Sequence, residues 1–510
     1  MTSAPHGMVC SVDHLASQAG VSTLQRGGNA VDAAIATNAV LTVTTQHMCG
    51  LGGDLFALIS QDGMPPLALN ASGRAGSGAD ASRLRADGHT RMPMTHDIRS
   101  VPIPGCVDGW LALHTRLGRL PLAEVLAPAI GYAADGFPAS PLLAATLTRF
   151  TGQPGMDQFT AEGALIRRPG VARTLQAIID KGREGFYLGE FGDGLLELGA
   201  GEYTPEDLQR EQANWVEPLS LEVFGKVLHT MPPASQGYLT LAAAWIAEQV
   251  GLPTDPDDAL WAHLTIEAAR QAGFDRMDVL HENADGPALL DPDRLAPRAA
   301  HINPSRAAEL GDSYQTGGTI HLAVVDEDRC GVSLIQSNAA GFGSMLVEPS
   351  TGIFLQNRGL GFSLIEGHPA EYGPGRRPPH TLAPALVTSQ DFTLDTVLGT
   401  MGGDSQPQVL LQLLVRLQSG QDAGTAVAAP RWALEAGGGF DTWQARGVVQ
   451  VALEDGVPDA WAEGLTERGH QVVHRPHGSS FGHAHVIRVV GDTLEGASDP
   501  RAISGAATVF

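Results

Sequence analysis

The sequence predicts a layered α/β (α+β) fold assembled from both ends of the chain. Three observations point there. Strand-like segments open the chain, a mainly helical stretch follows, and strands dominate again after residue 318. A helix over about 30–46 is apolar on most of its surface (Val31, Ala33, Ala34, Ile35, Ala36, Val40, Leu41), which suits a helix covered on all sides. The 510 residues are 43% hydrophobic but only 5% aromatic, with 62 glycines, so a large core with close backbone approaches is expected.

Each element has a local reason. A strand at about 7–12 leads into a helix at about 13–26, which Gly27-Gly28 ends. Asn29, with Asp32 three residues on, caps the apolar helix. Cys49-Gly-Leu-Gly-Gly-Asp54 then turns into the strand Leu55–Ser60. It follows a helix and precedes a strand, so it is no dinucleotide fingerprint. Gln61-Asp-Gly-Met64 makes a hairpin to Pro66–Asn70, and residues 71–104 wrap the surface or rim a site.

Helices are expected at about 107–117, 121–135, 140–150 and 172–182, then a strand near 220–231. Met231-Pro-Pro-Ala-Ser-Gln-Gly237 breaks the chain before helices at 237–250, 258–280 and 290–300. Strands follow at 319–326, 331–338, 351–357, 383–389 and 392–399. A helix at 405–419, a strand, helix and strand over 446–474, and a last strand at 483–490 complete the chain.

A net charge of −24 leaves no basic stripe for nucleic acid. No apolar run reaches membrane-spanning length, and the first residues lack a basic segment followed by a hydrophobic one. A cytoplasmic protein is therefore expected. Cys10, Cys49, Cys106 and Cys330 are scattered, as in a reduced protein, and read as small core residues; for Cys49, in a glycine loop, a reactive thiol is the alternative. His483 and His485 sit two apart, but no carboxylate or cysteine completes a metal motif. No cofactor or metal is predicted. A homodimer is one assembly the sequence allows.

The chemistry gathers at Thr316-Gly-Gly-Thr-Ile-His-Leu-Ala-Val-Val-Asp326. Alternation puts Thr319, His321 and Ala323 on one strand face. Thr319 reads either as a β-branched strand starter or as a latent N-terminal nucleophile. Cutting the 318–319 bond would give its hydroxyl a free α-amine as general base. Thr316 is the fallback nucleophile, and His321 is expected to brace the region.

Gly27-Gly-Asn-Ala-Val-Asp-Ala-Ala34, Gly50-Leu-Gly-Gly53, Pro104-Gly105, Asp135-Gly-Phe137, Met231-Pro-Pro233, Thr319-x-His321-x-x-Val-Val-Asp326, Asn338, Gly402-Gly403 and Ala429-Pro-Arg431 occur in an order that resembles the γ-glutamyltranspeptidase family. The resemblance implies a four-layer αββα sandwich of the N-terminal nucleophile hydrolase type. It also implies self-cleavage between Gly318 and Thr319, leaving a large subunit of 1–318 associated with a small one of 319–510. Gly402 and Gly403, between strand and helix, are the candidate oxyanion donors, with a tight turn as the alternative. Asn338 falls within one residue of a family asparagine beside the active threonine; turn capping is its alternative.

The departures from the family bear on substrate. Ser72 stands where transpeptidases place a carboxylate-gripping arginine, and Arg74 lies two residues later. The family's paired serines correspond to His380 and Thr381, and its ammonium-binding glutamine and aspartate to Arg358 and Gly361. Ile320 replaces a second threonine, and the downstream one falls on Ser337. Losing an acid and gaining a cation reverses the preference for an ammonium group. The pattern looks more like the branch of cephalosporin acylases and oxamate amidohydrolases, whose amide substrates carry a carboxylate on the acyl part. Arg358 and Arg74 are its expected partners, against surface ion pairing as their alternative. A small amide is thus the expected partner molecule. A γ-glutamyl hydrolase or transferase, and an uncut, inactive binding protein, are the competing functions.

Overall fold

Two antiparallel sheets of seven strands stack face to face in the computed structural model, which describes residues 1–147, 161–312, 318–436, 447–479 and 481–510. One sheet runs Ala506–Val509, Met8–Ser11, Gly318–Val325, Gly331–Ala339, Asp54–Ser60, Leu67–Ala71, Asn214–Val216. The other runs Thr2–Ala4, Thr493–Ser498, Ala484–Val490, Leu394–Thr400, Ala385–Thr388, Lys226–Thr230, Leu219–Val223. Each sheet mixes strands from before and after residue 318.

Three cores define four layers. Leu55, Ile320, Leu322 and Val332 of the first sheet pack under Ala30–Thr44, Cys106–Leu117 and Leu122–Asp135. Ala385, Leu398 and Val486 of the second pack under Tyr238–Val250, Ala259–Gly273 and Gln406–Gln418. Met8, Leu58, Ala323, Val325, Val397 and Ile487 fill the space between the sheets. The result is an αββα sandwich. Its central helix Ala30–Thr44 is buried along its whole length, and Asn29 and Asp32 form the expected capping box.

Several elements differ from expectation. The strand near 220–231 is a hairpin, because Phe224 and Gly225 both adopt positive φ (55° and 69°) and reverse the chain. The helix at 258–280 stops at Gly273 and resumes at Arg276–Val279. Two further strands, Thr493–Ser498 and Ala506–Val509, follow the one expected to be last. Part of the helix at 140–150, the start of the strand at 446 and the fallback Thr316 lie outside the described residues. No helix of the described residues is long and apolar enough to cross a membrane.

Candidate active site

Thr319 sits at a kink in its ladder. Gly318 pairs with Ala339 but Ile320 with Gln336, so Ser337 and Asn338 together oppose the single Thr319. Such a bulge re-aims side chains. Ser337 is brought onto Thr319 (Oγ1 to Oγ, 3.1 Å), and both hydroxyls reach the Gly318 carbonyl oxygen, each at 2.7 Å. Gly318 and Thr319 are the candidate cleavage site, and Ser337 lies against both. Asn338 is turned the other way: its Nδ2 donates to Gln46 O at 3.1 Å, and its side chain packs over Gly50 and Gly53. The sequence singled out both residues; the bulge brings only Ser337's side chain to the threonine. A Cβ at Gly53 would stand 2.3 Å from Ser337 O, so the glycine turn is what allows this approach.

Alternation places His321 on the inter-sheet face with Thr319. Its ring covers Gly399 and stacks near His485 (centroids 5.9 Å, 15°). The Ser333 hydroxyl donates to Leu398 O at 3.1 Å, so His321 donates its Nε2–H to Ser333 at 3.0 Å. Burial, with His485 beside it, holds His321 well below the ordinary histidine range, as a neutral imidazole.

Gly402 (φ 141°) and Gly403 (φ 59°) link the strand Leu394–Thr400 to the helix Gln406–Gln418 in a conformation that favours glycine. Neither N–H has a hydrogen-bond acceptor among the described residues. Gly403 O accepts from Gln236 Nε2 at 2.9 Å, and the same amide nitrogen donates to Thr381 O at 2.8 Å. Arg276 pairs with the adjoining Asp404 at 3.0 Å.

Arg358 corrects the sequence reading. Its cation was expected to meet a substrate carboxylate, but it is buried and paired with Asp54 (Nε to Oδ2, 3.0 Å). A guanidinium held this deep is stable because that acid arrives with it. Arg358 Nη1 also donates to Thr381 Oγ1 at 2.9 Å. His380 is equally engaged: Nε2–H donates to Asp54 Oδ2 at 2.7 Å, and Nδ1 accepts from Leu382 N–H at 3.2 Å. Burial and the Arg358 cation lower His380 to about 4, so it stays neutral. Burial pushes the Asp54 carboxyl up, but His380 and Arg358 outweigh it and bring it below the ordinary range. Asp54 opposes Ser337 in the sheet, which ties this cluster to Thr319.

Asp54 is the residue that sequence reasoning missed. Its one signal was an acid at the junction of a glycine turn and a buried strand. Ser72 closes on itself, its N–H and hydroxyl both donating to Asn70 Oδ1. Arg74 is half-buried, donating to Gly375 O at 3.2 Å and Asn214 Oδ1 at 3.4 Å. Cys49 is buried and its thiol pushed up to about 12, so it is not the reactive thiol considered above.

His263, Glu267 and His470 offer ligand atoms within 4.8 Å of one another. They are already satisfied. His263 Nε2–H donates to Asn303 O and its Nδ1 accepts from His470 Nε2–H, each at 2.8 Å. Glu267 is held by Arg270 (2.6 Å) and Ala308 N–H (3.0 Å). With Arg270 and Arg468 both acting on His470, a dication would join an already cationic cluster. The set fits a brace rather than a metal centre.

The γ-glutamyltranspeptidase family model matches residues 16–509. The chain is 35% identical to the oxamate amidohydrolase proenzyme of Klebsiella pneumoniae, over 98% of each chain. It is 31% identical to the acylase ACY 1 proenzyme of a Pseudomonas strain, over 98% of this chain and 94% of that one. Its fold superposes on the cephalosporin acylase of Bacillus halodurans with TM-score 0.90 and 33% identity, covering 100% and 96% of the two chains. The match along the whole chain, on a sandwich of this architecture, shows that the protein belongs to the γ-glutamyltranspeptidase family and is an enzyme with the N-terminal nucleophile hydrolase fold.

Proposed function

We propose that this enzyme cuts itself between Gly318 and Thr319 and then hydrolyses small amides whose acyl group carries a carboxylate, of the glutaryl-amide or oxamate type. The observation that carries the reading is the triangle of Thr319 Oγ1, Ser337 Oγ and Gly318 O, with sides of 2.7, 3.1 and 2.7 Å. In maturation, Thr319 Oγ1 attacks the Gly318 carbonyl carbon while the Ser337 hydroxyl donates to its oxygen. The peptide C–N bond breaks, the proton from the hydroxyl goes to the departing nitrogen, and an ester links Gly318 to Thr319. Water then releases the Gly318 carboxylate and regenerates the hydroxyl beside a free α-amine.

In turnover that amine takes the hydroxyl proton as Thr319 attacks the substrate amide. The N–H groups of Gly402 and Gly403, which have no acceptor among the described residues, supply oxyanion donors. The proton passes to the leaving amine, and a water hydrolyses the acyl-enzyme by the reverse relay. Arg74, whose Nε has no acceptor among the described residues, serves the substrate carboxylate. Arg358, Thr381 and His380, fastened to Asp54, shape the pocket wall. The fragments stay together because both sheets contain strands of each. The preference for a carboxylate-bearing acyl group is supported by the relative named for oxamate.

The test is a denaturing gel and N-terminal sequencing, followed by a substrate panel. Two bands are expected, the smaller reading Thr-Ile-His-Leu-Ala-Val, with faster turnover of glutaryl-anilide or oxamate than of γ-glutamyl-anilide. A full-length band with full activity would sink the nucleophile assignment. A preference for γ-glutamyl-anilide would sink the substrate assignment, and an uncut band without turnover would leave a binding protein.

A further inference from the structure

Arg74, Arg376 and Arg377 converge on one acid, Glu282, and Arg210 stands beside them, its cation acting on both Arg74 and Arg377. Its carboxylate lies 3.9 Å from Arg74 and 3.5 Å from Arg376, and it accepts the Arg377 backbone N–H at 3.1 Å. Asn214 Oδ1 is shared by two guanidiniums, accepting from Arg377 at 2.8 Å and Arg74 at 3.4 Å. Arg377 is buried and donates to Gln212 O, but no carboxylate pairs with its side chain among the described residues and its Nε has no acceptor. Behind Arg210, the Arg183–Asp108 pair (3.0 Å) is neutral as a unit and adds no compensating charge.

The cluster has a direction. Exposure falls from Arg210 at the surface, through the side chains of Arg376 (30%) and Arg74 (16%), to buried Arg377. Three residues beyond Arg377 stands His380, whose imidazole is bonded to Asp54, the strand partner of Ser337. Glu371 also acts on Arg376 but is paired with Arg85 at 2.7 Å, so the group stays positive, and it ends beside His380, on which the Arg377 cation acts, in a chain whose net charge is −24. Burial, with Arg74 and Arg210 nearby, brings Arg377 down to about 9, as expected of a cation short of counter-charge.

We infer that these four arginines are a cationic entrance that draws small carboxylate-bearing molecules toward Thr319 against the overall negative field of the protein. The inference rests on the proposed substrate class. A lining of one sign raises the local concentration of the opposite ion, and salt weakens it over a Debye length of about 10 Å at 0.1 M.

The experiment uses the matured enzyme with glutarate as a competitive inhibitor and glutaramide as its neutral counterpart. Ki is read at low and high ionic strength, in wild type and in Arg210→Glu. Arg210 is exposed and touches none of the reacting groups, so this variant is expected to fold and mature normally. Glutarate inhibition should weaken several-fold with salt in wild type. At low salt it should weaken by roughly 3–10-fold in the variant, with a flatter salt response. Glutaramide should change in neither comparison. A salt-insensitive glutarate Ki, an unchanged Ki in Arg210→Glu, or equal losses for both inhibitors would overturn the entrance. Wild-type enzyme that neither hydrolyses carboxylate-bearing amides nor binds glutarate would instead bring down the functional reading, and the entrance with it.

Discussion

The space between the two sheets has two unlike ends, and one strand crosses both. Along Gly318–Val325 the inward positions run Thr319, His321, Ala323, Val325. Around Ala323 and Val325 the filling is Met8, Leu58, Val397, Ile487 and Leu494, an apolar set. Around Thr319 and His321 it is Ser333, Ser337 and His485, and here His321 Nδ1 and both nitrogens of His485 have no partner among the described residues. The backbone ladder is regular from Ile320 to Val325 and bulged at Thr319, and the side chains differ with it. One end gains from dry packing. The other tolerates unsatisfied polar atoms, each costing about 1–3 kcal/mol, around the proposed nucleophile. Stability and chemistry are thus divided along a single strand, as expected where a site is preorganised at the expense of its own packing.

The most drastic way to break that comparison is Thr319→Ala. It should leave a folded protein with neither self-cleavage nor turnover, whereas Thr319→Ser should mature and act slowly. Gel mobility and circular dichroism decide it, and normal cleavage of the alanine variant would refute the shared role of the hydroxyl.

Next comes Asp54→Asn, which removes the carboxylate paired with Arg358 at 3.0 Å in a dry setting and leaves Asp404 as its acidic neighbour. A loss of about 3–5 kcal/mol is expected in denaturant unfolding. Turnover of an acidic amide and its methyl ester should fall together, because Arg358 is compensated within the protein. A loss confined to the acidic substrate would return Arg358 to direct carboxylate binding.

At the dry end, Ile487→Ala should remove about 2–5 kcal/mol by opening a cavity between the sheets. Its kcat/KM at a temperature where the protein is fully folded should match wild type. A large catalytic loss there would mean that the two ends are not separable.

The gentlest perturbation near neutrality is pH. Burial lowers His47, His470 and His485 to about 3 and His229, His380 and His483 to about 4, with neighbouring cations adding for several. Below about 6.5 the unfolded chain takes up protons that these buried rings refuse, so stability falls with pH from there down through about 4. Melting temperature should be flat from pH 8 to 7 and drop progressively below 6.5. A flat profile to pH 5 would show that these rings are accessible to protons.

Much of this was legible in advance. The Asn29–Asp32 cap, the buried helix, the strands on either side of Gly331 and the glycine pair at 402–403 are local signals, written within a few residues. Period-2 alternation put Thr319 and His321 on one face, as observed. The hairpin at Phe224-Gly225 was missed because phenylalanine rarely takes a positive φ, so the turn carried only half its usual signature. Asn338 and Ser337 were both singled out by position in the sequence, and a one-residue bulge brings only the Ser337 side chain to Thr319.

What the sequence determined by itself was therefore most of the elements, the family, and the threonine most suited to be a nucleophile. All are carried by nearest neighbours in the chain or by the order of short motifs. Only the tertiary structure decided which charges meet. Asp54 and Arg358 are 304 residues apart, and Arg377 joins Arg74 and Glu282 from three separate segments. A buried guanidinium is neutralised by whatever acid the fold brings within about 4 Å, and that distance is fixed by strand order and layer stacking rather than by sequence separation.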